Sequence, residues 1–416
     1  MRRVAITGFG VVSPIGTGRE AFWTALAAGR GGIAPISRFD ASAFEVRLAG
    51  EVKEPLNLPA PVQALAAEDA KIGFGFAALA EALAQAGLAG LDRQALLHLG
   101  TSLEVFDLRK IIAGCEPDFA AVVRRSLGSN ARPLQVPLDQ LARLAAATWG
   151  QPGRSLTNCS ACAAGAQAIG HGFRAVRSGE FEVAVCGGFD SMLHPLGVGG
   201  FQLLGALTID NDRGQAACRP FDAARAGTVL GEGAAMLVLE PLDKVLAEGR
   251  PVLGELCGYG SSLDAASLSA PDPSGDGAIR AMRAALADAQ IAPEQIAHLN
   301  AHGTGTQLND EIEAKAIRQV FAGCWERIPV SATKALTGHL IAAAGAVEAG
   351  ACLLALQRGI LPPNPWLETV GPGCELNHVR GVAGRLEGEY VISNSFGFGG
   401  QNAALIFRRG TSLNNS

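Results

Sequence analysis

The stretch Ser155-Leu-Thr-Asn-Cys-Ser-Ala-Cys-Ala-Ala-Gly-Ala-Gln-Ala-Ile-Gly170 has the pattern of a short strand that breaks at a turn and continues as a helix. Residues 154–158 read as the strand, and the Ala-rich run from Cys162 predicts a helix to about Arg177, which Gly179 ends. Cys162 is therefore expected at the helix N-terminus. Unpaired N–H groups and the helix dipole at that position favour a thiolate and can hydrogen-bond an oxyanion. The pattern predicts a cysteine nucleophile.

Two other interpretations of Cys162 remain open at this point. A cysteine beside an Ala-rich helix is often only a small core residue. Cys159 and Cys162 also form a C-x-x-C pair, which is found in redox sites and in half of a zinc site. No second pair follows at zinc spacing, and 416 residues are far more than a thioredoxin unit needs.

The composition predicts a large globular protein, and the N-terminal sequence leads us to expect it in the cytoplasm. With 48% apolar and 18% charged residues, the chain can bury a large core and is expected to fold as two fused domains. The net charge of −5 argues against a nucleic-acid partner. The N-terminus lacks the apolar run of a signal peptide, and residues 340–356 suit a buried helix better than a membrane span. Nine scattered cysteines are typical of reduced thiols.

A second elbow repeats the parts of the first one. Residues 329–339 read as a strand and a polar turn, and an Ala/Gly helix follows to about Leu356. Two such segments predict an internal duplication with the two Ala/Gly helices packed at the centre. We place the boundary between the halves after residue 250, which gives residues 1–250 with Cys162 and residues 251–416 with two further histidine motifs.

These motifs are Asn300-Ala-His302-Gly-Thr-Gly-Thr306 and Thr333-Lys-Ala-Leu-Thr-Gly-His339, and each follows a strand at a Gly/Thr-rich turn. A lone histidine is more often structural than catalytic. Together with Cys162 and the turn Phe396-Gly-Phe-Gly-Gly400, however, the set closely resembles the elongating type II β-ketoacyl-[acyl carrier protein] synthases. The resemblance covers nearly the whole chain.

The resemblance implies an α/β thiolase fold, duplicated in five α/β/α/β/α layers, and a decarboxylating Claisen condensation that needs no metal or organic cofactor. Cys162 would take the acyl group from an acyl carrier protein, with the N–H groups of Cys162 and Phe398 as oxyanion hole. His302 and His339, as neutral imidazoles, would stabilise the enolate formed from malonyl carrier.

Other positions are assigned by the same resemblance. Lys334 and Glu348 are expected to form a supporting ion pair, and Phe398 to gate the acyl pocket. Leu103 would line that pocket, but its neighbours depart from the family pattern, as does Gln401 in the turn Gly400-Gln401-Asn402. A secondary-metabolite pathway therefore competes with fatty-acid synthesis. Asp310 and Glu313 are expected to be solvated charges at a helix start, although Asp310 could be structural.

The expected partners are acyl- and malonyl-loaded carrier proteins and a second subunit, with no nucleic acid and no membrane. The dimer is expected to be a homodimer or a heterodimer with a chain-length partner. The segment before the second helix offers only Lys71 to an acidic carrier, so the other candidates for docking are Arg124, Arg125, Arg132 and Arg213.

Two rival functions are weighed against the condensing enzyme. A thiolase dependent on coenzyme A would need a second cysteine in the turn at residues 396–400, which has none. A non-catalytic chain-length subunit would lack the nucleophile, whereas Cys162 and both histidines are present.

Overall fold

The structure, a computed structural model, describes residues 1–103 and 137–410. The described strands are β1 Val4–Ser13, β2 Gly16–Thr17, β3 Ile33–Pro35, β4 Leu48–Gly50, β5 Ala95–Gly100, β6 Arg154–Asn158, β7 Val183–Ser191, β8 Glu232–Pro241, β9 Gly254–Leu263, β10 Ile296–Asn300, β11 Val330–Ser331, β12 Ile360–Leu361, β13 Gly384–Arg385, β14 Tyr390–Gly397 and β15 Gln401–Arg409. The described α-helices are α1 Arg19–Ala27, α2 Ala60–Glu68, α3 Ala70–Ala86, α4 Gln140–Trp149, α5 Ala164–Ser178, α6 Pro195–Leu203, α7 Leu242–Ala247, α8 Asp276–Ala289, α9 Gln307–Val320, α10 Lys334–Thr337 and α11 Ala344–Arg358.

The two halves of the chain use the same strand order. The large sheet runs β11-β10-β14-β15-β9-β1-β8-β7-β5-β6. The five strands that each half contributes to this order can be numbered one to five along the chain. From the outer edge of the sheet to its middle, both halves then have the order three, two, four, five, one. The halves meet where the residues from Val4 to Ile6 of β1 pair antiparallel with those from Leu256 back to Gly254 of β9. The predicted duplication is confirmed by this repeated order.

Helices separate and cover the strands in five layers. Helix α3 packs on β1, β7 and β8 of the first half, and α8 packs on β9 and β15 of the second half with α9 beside it. Helices α5 and α11 lie between the two sets of strands and contact each other. Three large apolar clusters fill the spaces between these layers. The five-layer arrangement therefore agrees with the prediction.

The two central helices approach closely because each has a glycine in its first turn. A Cβ at Gly165 would lie 2.8 Å from the carbonyl oxygen of Ala342, and one at Gly345 would lie 2.8 Å from the Cβ of Ala166. Larger side chains at these positions would push α5 and α11 apart. Since each helix begins next to a candidate catalytic residue, this contact sets the separation of the two elbows.

One described helical stretch, Ile341–Arg358, is long and apolar enough to span a membrane, but 89% of that window is buried within the protein. Such burial is typical of the central helix of a large core. Strand β7 passes through two glycines, at residues 187 and 188, which pack against neighbouring backbone. The domain boundary after residue 250 lies between α7 and β9 and stays a prediction.

Candidate active site

Cys162 occupies a strained turn at the start of α5. Strand β6 ends at Asn158, the 3-10 turn Ala161–Ala163 follows, and α5 begins at Ala164. Ala161 has φ of 48°, a conformation that residues other than glycine adopt at a cost, and such strain is frequent at functional sites. The predicted elbow is present, with Cys162 one turn before the regular helix.

Burial outweighs the preference for a thiolate that the helix N-terminus gives Cys162, while the assignment of Cys162 as the nucleophile stays a prediction. The side chain is buried, and burial raises the pKa of the Cys162 thiol to about 11. The backbone N–H of Phe398 hydrogen-bonds the sulfur, and the charge of Lys334 also opposes the rise in pKa. Desolvation is the larger effect, so the resting nucleophile is a neutral thiol. Neither Cys159 nor Cys162 forms a disulfide, and no group of three or more potential metal ligands lies together among the described residues.

The two histidines lie beside each other on loops from the second half. His302 follows β10, and His339 follows the short helix α10. Their ring centroids are 5.3 Å apart and the rings are nearly perpendicular. Both side chains are buried, and burial together with the charge of Lys334 holds the pKa of each histidine well below its usual value. Both imidazoles are therefore neutral at pH 7.

Hydrogen bonds to Nδ1 define the tautomer of each ring. The backbone N–H of Ile341 donates to Nδ1 of His339 at 3.2 Å. The Lys334 ammonium lies 3.2 Å from Nδ1 of His302, and an ammonium group can only donate. With Nδ1 acting as the acceptor, each neutral ring carries its proton on Nε2. The site thus contains two Nε2–H donors and no free imidazole acceptor.

Lys334 also forms the predicted ion pair with Glu348, and both residues are buried. Its ammonium group donates to the carbonyl oxygen of His302 at 2.6 Å. Burial raises the pKa of Glu348 to about 7, while the charge of Lys334 opposes that rise. One lysine therefore links α11, through Glu348, to both the backbone and the ring of His302.

The three candidate catalytic residues line one cavity of about 410 Å³. Phe398 also lines it, in a turn where Gly399 and Gly400 have φ of 73° and 74°. Such angles favour glycine, which has no side chain to restrict the conformation of the turn. Thr304, Thr306 and Asn309 add polar groups to the wall.

The expected substrate-binding role of Leu103 stays a prediction. Its side chain is 66% exposed and is not among the residues that line the cavity. The carbonyl group of Leu103 accepts a hydrogen bond from Lys71 Nζ at 2.5 Å, which fixes the backbone after β5. Residues 104–136 lie outside the described part of the chain.

Two of the basic residues predicted to dock an acidic carrier, Lys71 and Arg213, lie in the described part of the chain, and both are paired with a carboxylate. Lys71 is buried and paired with Asp69, so it cannot meet a partner protein. Arg213 is exposed but forms an ion pair with Asp210. Arg124, Arg125 and Arg132 lie outside the described residues.

Two carboxylates that the sequence analysis expected at a helix start, Asp310 and Glu313, are buried and bind the backbone of the His302 loop. Glu313 accepts from the N–H groups of His302 and Gly303, both at 2.8 Å. Asp310 accepts from the N–H groups of Thr304 and Gly305 at 3.1 and 3.2 Å. The expectation of solvated charges is therefore wrong, because the buried face of α9 contains both carboxylates. Asp310 lies four positions before the buried Ala314 and Glu313 four positions before the buried Ile317, and this helical spacing could have shown that both carboxylates lie on the buried face.

Asp190 is a third buried carboxylate, and it links the segment after β5 to the second elbow. It lies on β7, accepts from Ser102 Oγ at 2.7 Å and accepts from the N–H of Ala342 at 2.9 Å. Since Ala342 is in the 3-10 turn before α11, the carboxylate fixes the turn that follows His339. No sequence signal distinguishes it from an ordinary strand residue.

Comparisons with known proteins agree with this geometry. A family model described as "Beta-ketoacyl synthase, N-terminal domain" matches residues 1–245, and one described as "Beta-ketoacyl synthase, C-terminal domain" matches residues 253–368. The chain is 37% identical over 420 residues to 3-oxoacyl-[acyl-carrier-protein] synthase 2 of Synechocystis sp., covering 98% of each chain.

Solved structures show the same similarity. The ishigamide ketosynthase/chain length factor matches with a TM-score of 0.85 and 35% identity, covering 99% of this chain and all of the other. A type II polyketide ketosynthase in complex with its acyl-carrier protein, AntDE:AntF, matches with a TM-score of 0.84 and 27% identity over 98% of this chain and all of the other. The predicted thiolase fold is confirmed by these neighbours. The chain therefore belongs to the beta-ketoacyl synthase family of condensing acyltransferases.

Proposed function

We propose that Cys162, His302 and His339 carry out the decarboxylative condensation of malonyl carrier with an acyl group held on Cys162. The observation that carries the proposal is that these three residues, from three separate loops, line one cavity. The cavity also contains the Phe398 turn, whose N–H already bonds the Cys162 sulfur. The product is a β-ketoacyl carrier that is two carbons longer.

Acyl transfer to Cys162 is the first half-reaction. The sulfur attacks the carbonyl carbon of the acyl thioester, and the bond from that carbon to the carrier sulfur breaks. Because the resting thiol is neutral and neither imidazole has a free acceptor nitrogen, the thiol proton passes to the departing carrier thiolate. The N–H groups of Cys162 and Phe398 stabilise the oxyanion during this attack.

Decarboxylation and condensation follow when malonyl carrier binds. The bond from the malonyl methylene carbon to its carboxylate breaks, carbon dioxide leaves, and the electron pair forms an enolate. The Nε2–H groups of His302 and His339 donate to the thioester oxygen where that charge develops. The enolate carbon then attacks the acyl carbonyl, the bond from that carbon to the Cys162 sulfur breaks, and the departing thiolate takes a proton from solvent to restore the thiol.

We also propose that the functional unit is a dimer formed through β6. In the described part of the chain, β6 ends the sheet with exposed residues, whereas the equivalent strand β11 is buried beside the segment that contains His378. An open edge strand next to a catalytic elbow is suited to pair with a second subunit. Thr157→Pro in β6 should give monomers in size-exclusion chromatography with light scattering. Val382→Ser, on an exposed turn, is the control.

A ketosynthase subunit acting with a chain-length partner is the second candidate. The similarity to the ishigamide ketosynthase/chain length factor favours it. Purified homodimer that elongates acyl carriers alone would contradict this candidate, whereas activity only after addition of a partner subunit would support it.

The proposed reaction is tested by incubating the purified protein with malonyl carrier and carriers loaded with acyl groups of increasing length, then measuring product masses. We expect β-ketoacyl carriers two carbons longer. Cys162→Ala should abolish them, and Cys159→Ala, three residues earlier, should retain them. Equal loss in both variants would contradict the assignment of Cys162.

A further inference from the structure

The second elbow contains a copy of the backbone N–H that the first elbow offers to the substrate. Each elbow has a three-residue 3-10 turn before its central helix, Ala161–Ala163 in the first half and Ile341–Ala343 in the second. The first residue of each turn has a positive φ, 48° and 47° respectively. The middle residues are Cys162 and Ala342. The N–H of Ala342 is therefore the counterpart of the Cys162 N–H that is assigned to the oxyanion hole.

These two N–H groups face the ends of equivalent strands. Strands β7 and β14 are each the fourth strand of their own half. Strand β14 ends at Gly397, and Asp190 is the second-last residue of β7. A Cβ at Gly397 would lie 3.0 Å from the backbone nitrogen of Cys162. Because glycine has no side chain, Gly397 leaves this space free, and both residues line the active-site cavity.

In the second half, the carboxylate of Asp190 occupies the corresponding place. Its Oδ2 accepts from the N–H of Ala342 at 2.9 Å, and its Oδ1 accepts from Ser102 Oγ at 2.7 Å. Asp190 is fully buried. Unpaired N–H groups and the helix dipole favour an anion at the start of a helix. The second elbow thus binds an anion that belongs to the chain itself.

The bond from Asp190 reaches the ring of His339 through one further residue. Ile341, which precedes Ala342 in the same turn, donates its N–H to Nδ1 of His339 at 3.2 Å. The backbone of His339 is held separately: its N–H donates to the carbonyl oxygen of Val229 at 2.7 Å, and its carbonyl oxygen accepts from the N–H of Gly231 at 2.9 Å. A change at Asp190 should therefore affect the ring of His339 more than its backbone.

We propose that Asp190 fills a second, inactive copy of the oxyanion hole and thereby positions His339 for condensation. The inference rests on the proposed function, in which the Nε2–H of His339 stabilises the enolate. Without the carboxylate, the buried N–H of Ala342 has lost its acceptor, and a buried N–H without a partner is costly. The turn then shifts, and the N–H of Ile341 no longer holds the proton of His339 on Nε2. Asp190 is a positioning residue, since it acts on the reaction through His339.

The experiment compares wild type with Asp190→Ala and Asp190→Asn. Alanine removes both acceptors. Asparagine keeps an amide oxygen for the N–H of Ala342, and its amide nitrogen can donate to Ser102 Oγ. The matched control is Glu240→Ala, because Glu240 is also a buried carboxylate, lies on the neighbouring strand β8 and pairs with Arg250.

The two half-reactions are measured separately by mass spectrometry, first acylation of Cys162 by octanoyl-pantetheine and then condensation of the isolated acyl-enzyme with malonyl carrier. We expect Asp190→Ala to slow condensation at least about tenfold and acylation less than about threefold. Asp190→Asn should stay within about threefold of wild type in both. Glu240→Ala should lose stability in urea unfolding but keep both rates. If Asp190→Ala does not fold, Asp190→Val, which fills the space without an acceptor, replaces it.

The reciprocal change tests the first elbow. Gly397→Ala places a methyl group beside the Cys162 N–H, and the φ of −134° at Gly397 is one that alanine adopts readily. We expect acylation to fall at least about 100-fold, the usual effect of a lost oxyanion donor, with little change in urea unfolding. Gly200→Ala is the control, because a Cβ there meets no described atom within 4 Å.

The outcomes separate this inference from the proposed function. If wild type is not acylated, or its acyl-enzyme does not condense with malonyl carrier, the proposed function fails. If wild type does both, the inference is overturned when Asp190→Ala condenses like wild type or loses both half-reactions equally. It is also overturned when Asp190→Asn is as impaired as Asp190→Ala, or when Gly397→Ala is acylated at the wild-type rate.

Discussion

Replacing Lys334 with methionine tests whether this lysine acts on His302 or only stabilises the fold. Methionine keeps most of the length of the side chain but removes the charge and every donor. Three acceptors then lose their partner: the Glu348 carboxylate, the carbonyl oxygen of His302 and Nδ1 of its ring. The loss at the Glu348 carboxylate affects the stability of the fold, and the loss at Nδ1 of His302 affects the reaction.

The stability effect depends on pH. Removing one partner of a buried ion pair costs about 3–5 kcal/mol when the remaining charge stays ionised. The pKa of Glu348 is already raised to about 7, and without the opposing charge of Lys334 it must rise further. The folded variant then holds a proton that the unfolded chain releases above its own pKa of about 4.3. Stability of the variant should therefore fall as pH rises from 6 to 8, as measured by urea unfolding.

The Lys334→Met substitution should also lower the rate of condensation directly, apart from its effect on the free energy of unfolding. Without the ammonium donor, Nδ1 of His302 can take the proton, and Nε2 no longer donates to the enolate oxygen. We expect condensation to fall about 100- to 10,000-fold, the usual size of a lost acid–base group, with acylation of Cys162 reduced less than about tenfold. Both half-reactions are measured by mass spectrometry.

The double variant Lys334→Met/Glu348→Gln separates the two roles. It removes both charges, so unfolding free energy should return to within about 2 kcal/mol of wild type, while condensation stays low. Lys315→Met, at an exposed lysine on α9, is the control and should leave both measurements unchanged. Recovery of condensation together with stability in the double variant would refute the assignment of Lys334 to the His302 tautomer.

Three further predictions follow from the site. Octanoyl-pantetheine should label Cys162 alone, and peptide mapping that finds the label on Cys159 would contradict the choice of nucleophile. His302→Ala or His339→Ala should reduce condensation far more than acylation of Cys162, because only the enolate needs both Nε2–H donors, and an equal loss of both half-reactions would argue against this division. Burial holds the pKa of both histidines below the unfolded value of about 6.5, so stability should fall by about 1.4 kcal/mol per pH unit for each histidine below that pH, and His339→Gln should show a shallower slope in urea unfolding at pH 5 to 7.

The parts of the site that follow local patterns could be predicted from the sequence. The elbow at Cys162 has a strand, a turn and a helix in immediate succession, and the Ala/Gly helix after His339 has the same order of parts. Gly179 ends α5 in the left-handed conformation, as a glycine after an apolar run predicts. Local signals of this kind are strong because each depends only on neighbouring residues.

The contacts between distant segments could not be predicted in the same way. The pKa of Cys162 depends on burial by both halves, and local helix-dipole reasoning gave the wrong direction. Asp190 binds the second elbow from a strand in the first half, which no spacing indicates. Glu313 could be predicted only in part. Its place on the buried face of α9 follows from the helical period of the sequence, whereas its partners, the N–H groups of the His302 loop, do not.

The duplication explains why one elbow provides a nucleophile and the other provides a histidine. Ala161 and Ile341 have φ of 48° and 47°, each begins a 3-10 turn, and the residue that follows is Cys162 in one half and Ala342 in the other. The strained turn is therefore common to both halves and cannot by itself make a nucleophile. In the second half, the backbone N–H of Ile341 in this turn donates to Nδ1 of His339 and fixes the position of that ring. Since Gly165 and Gly345 bring α5 and α11 into contact, the duplicated turns face one cavity, and a repeated structural unit supplies two different chemical groups.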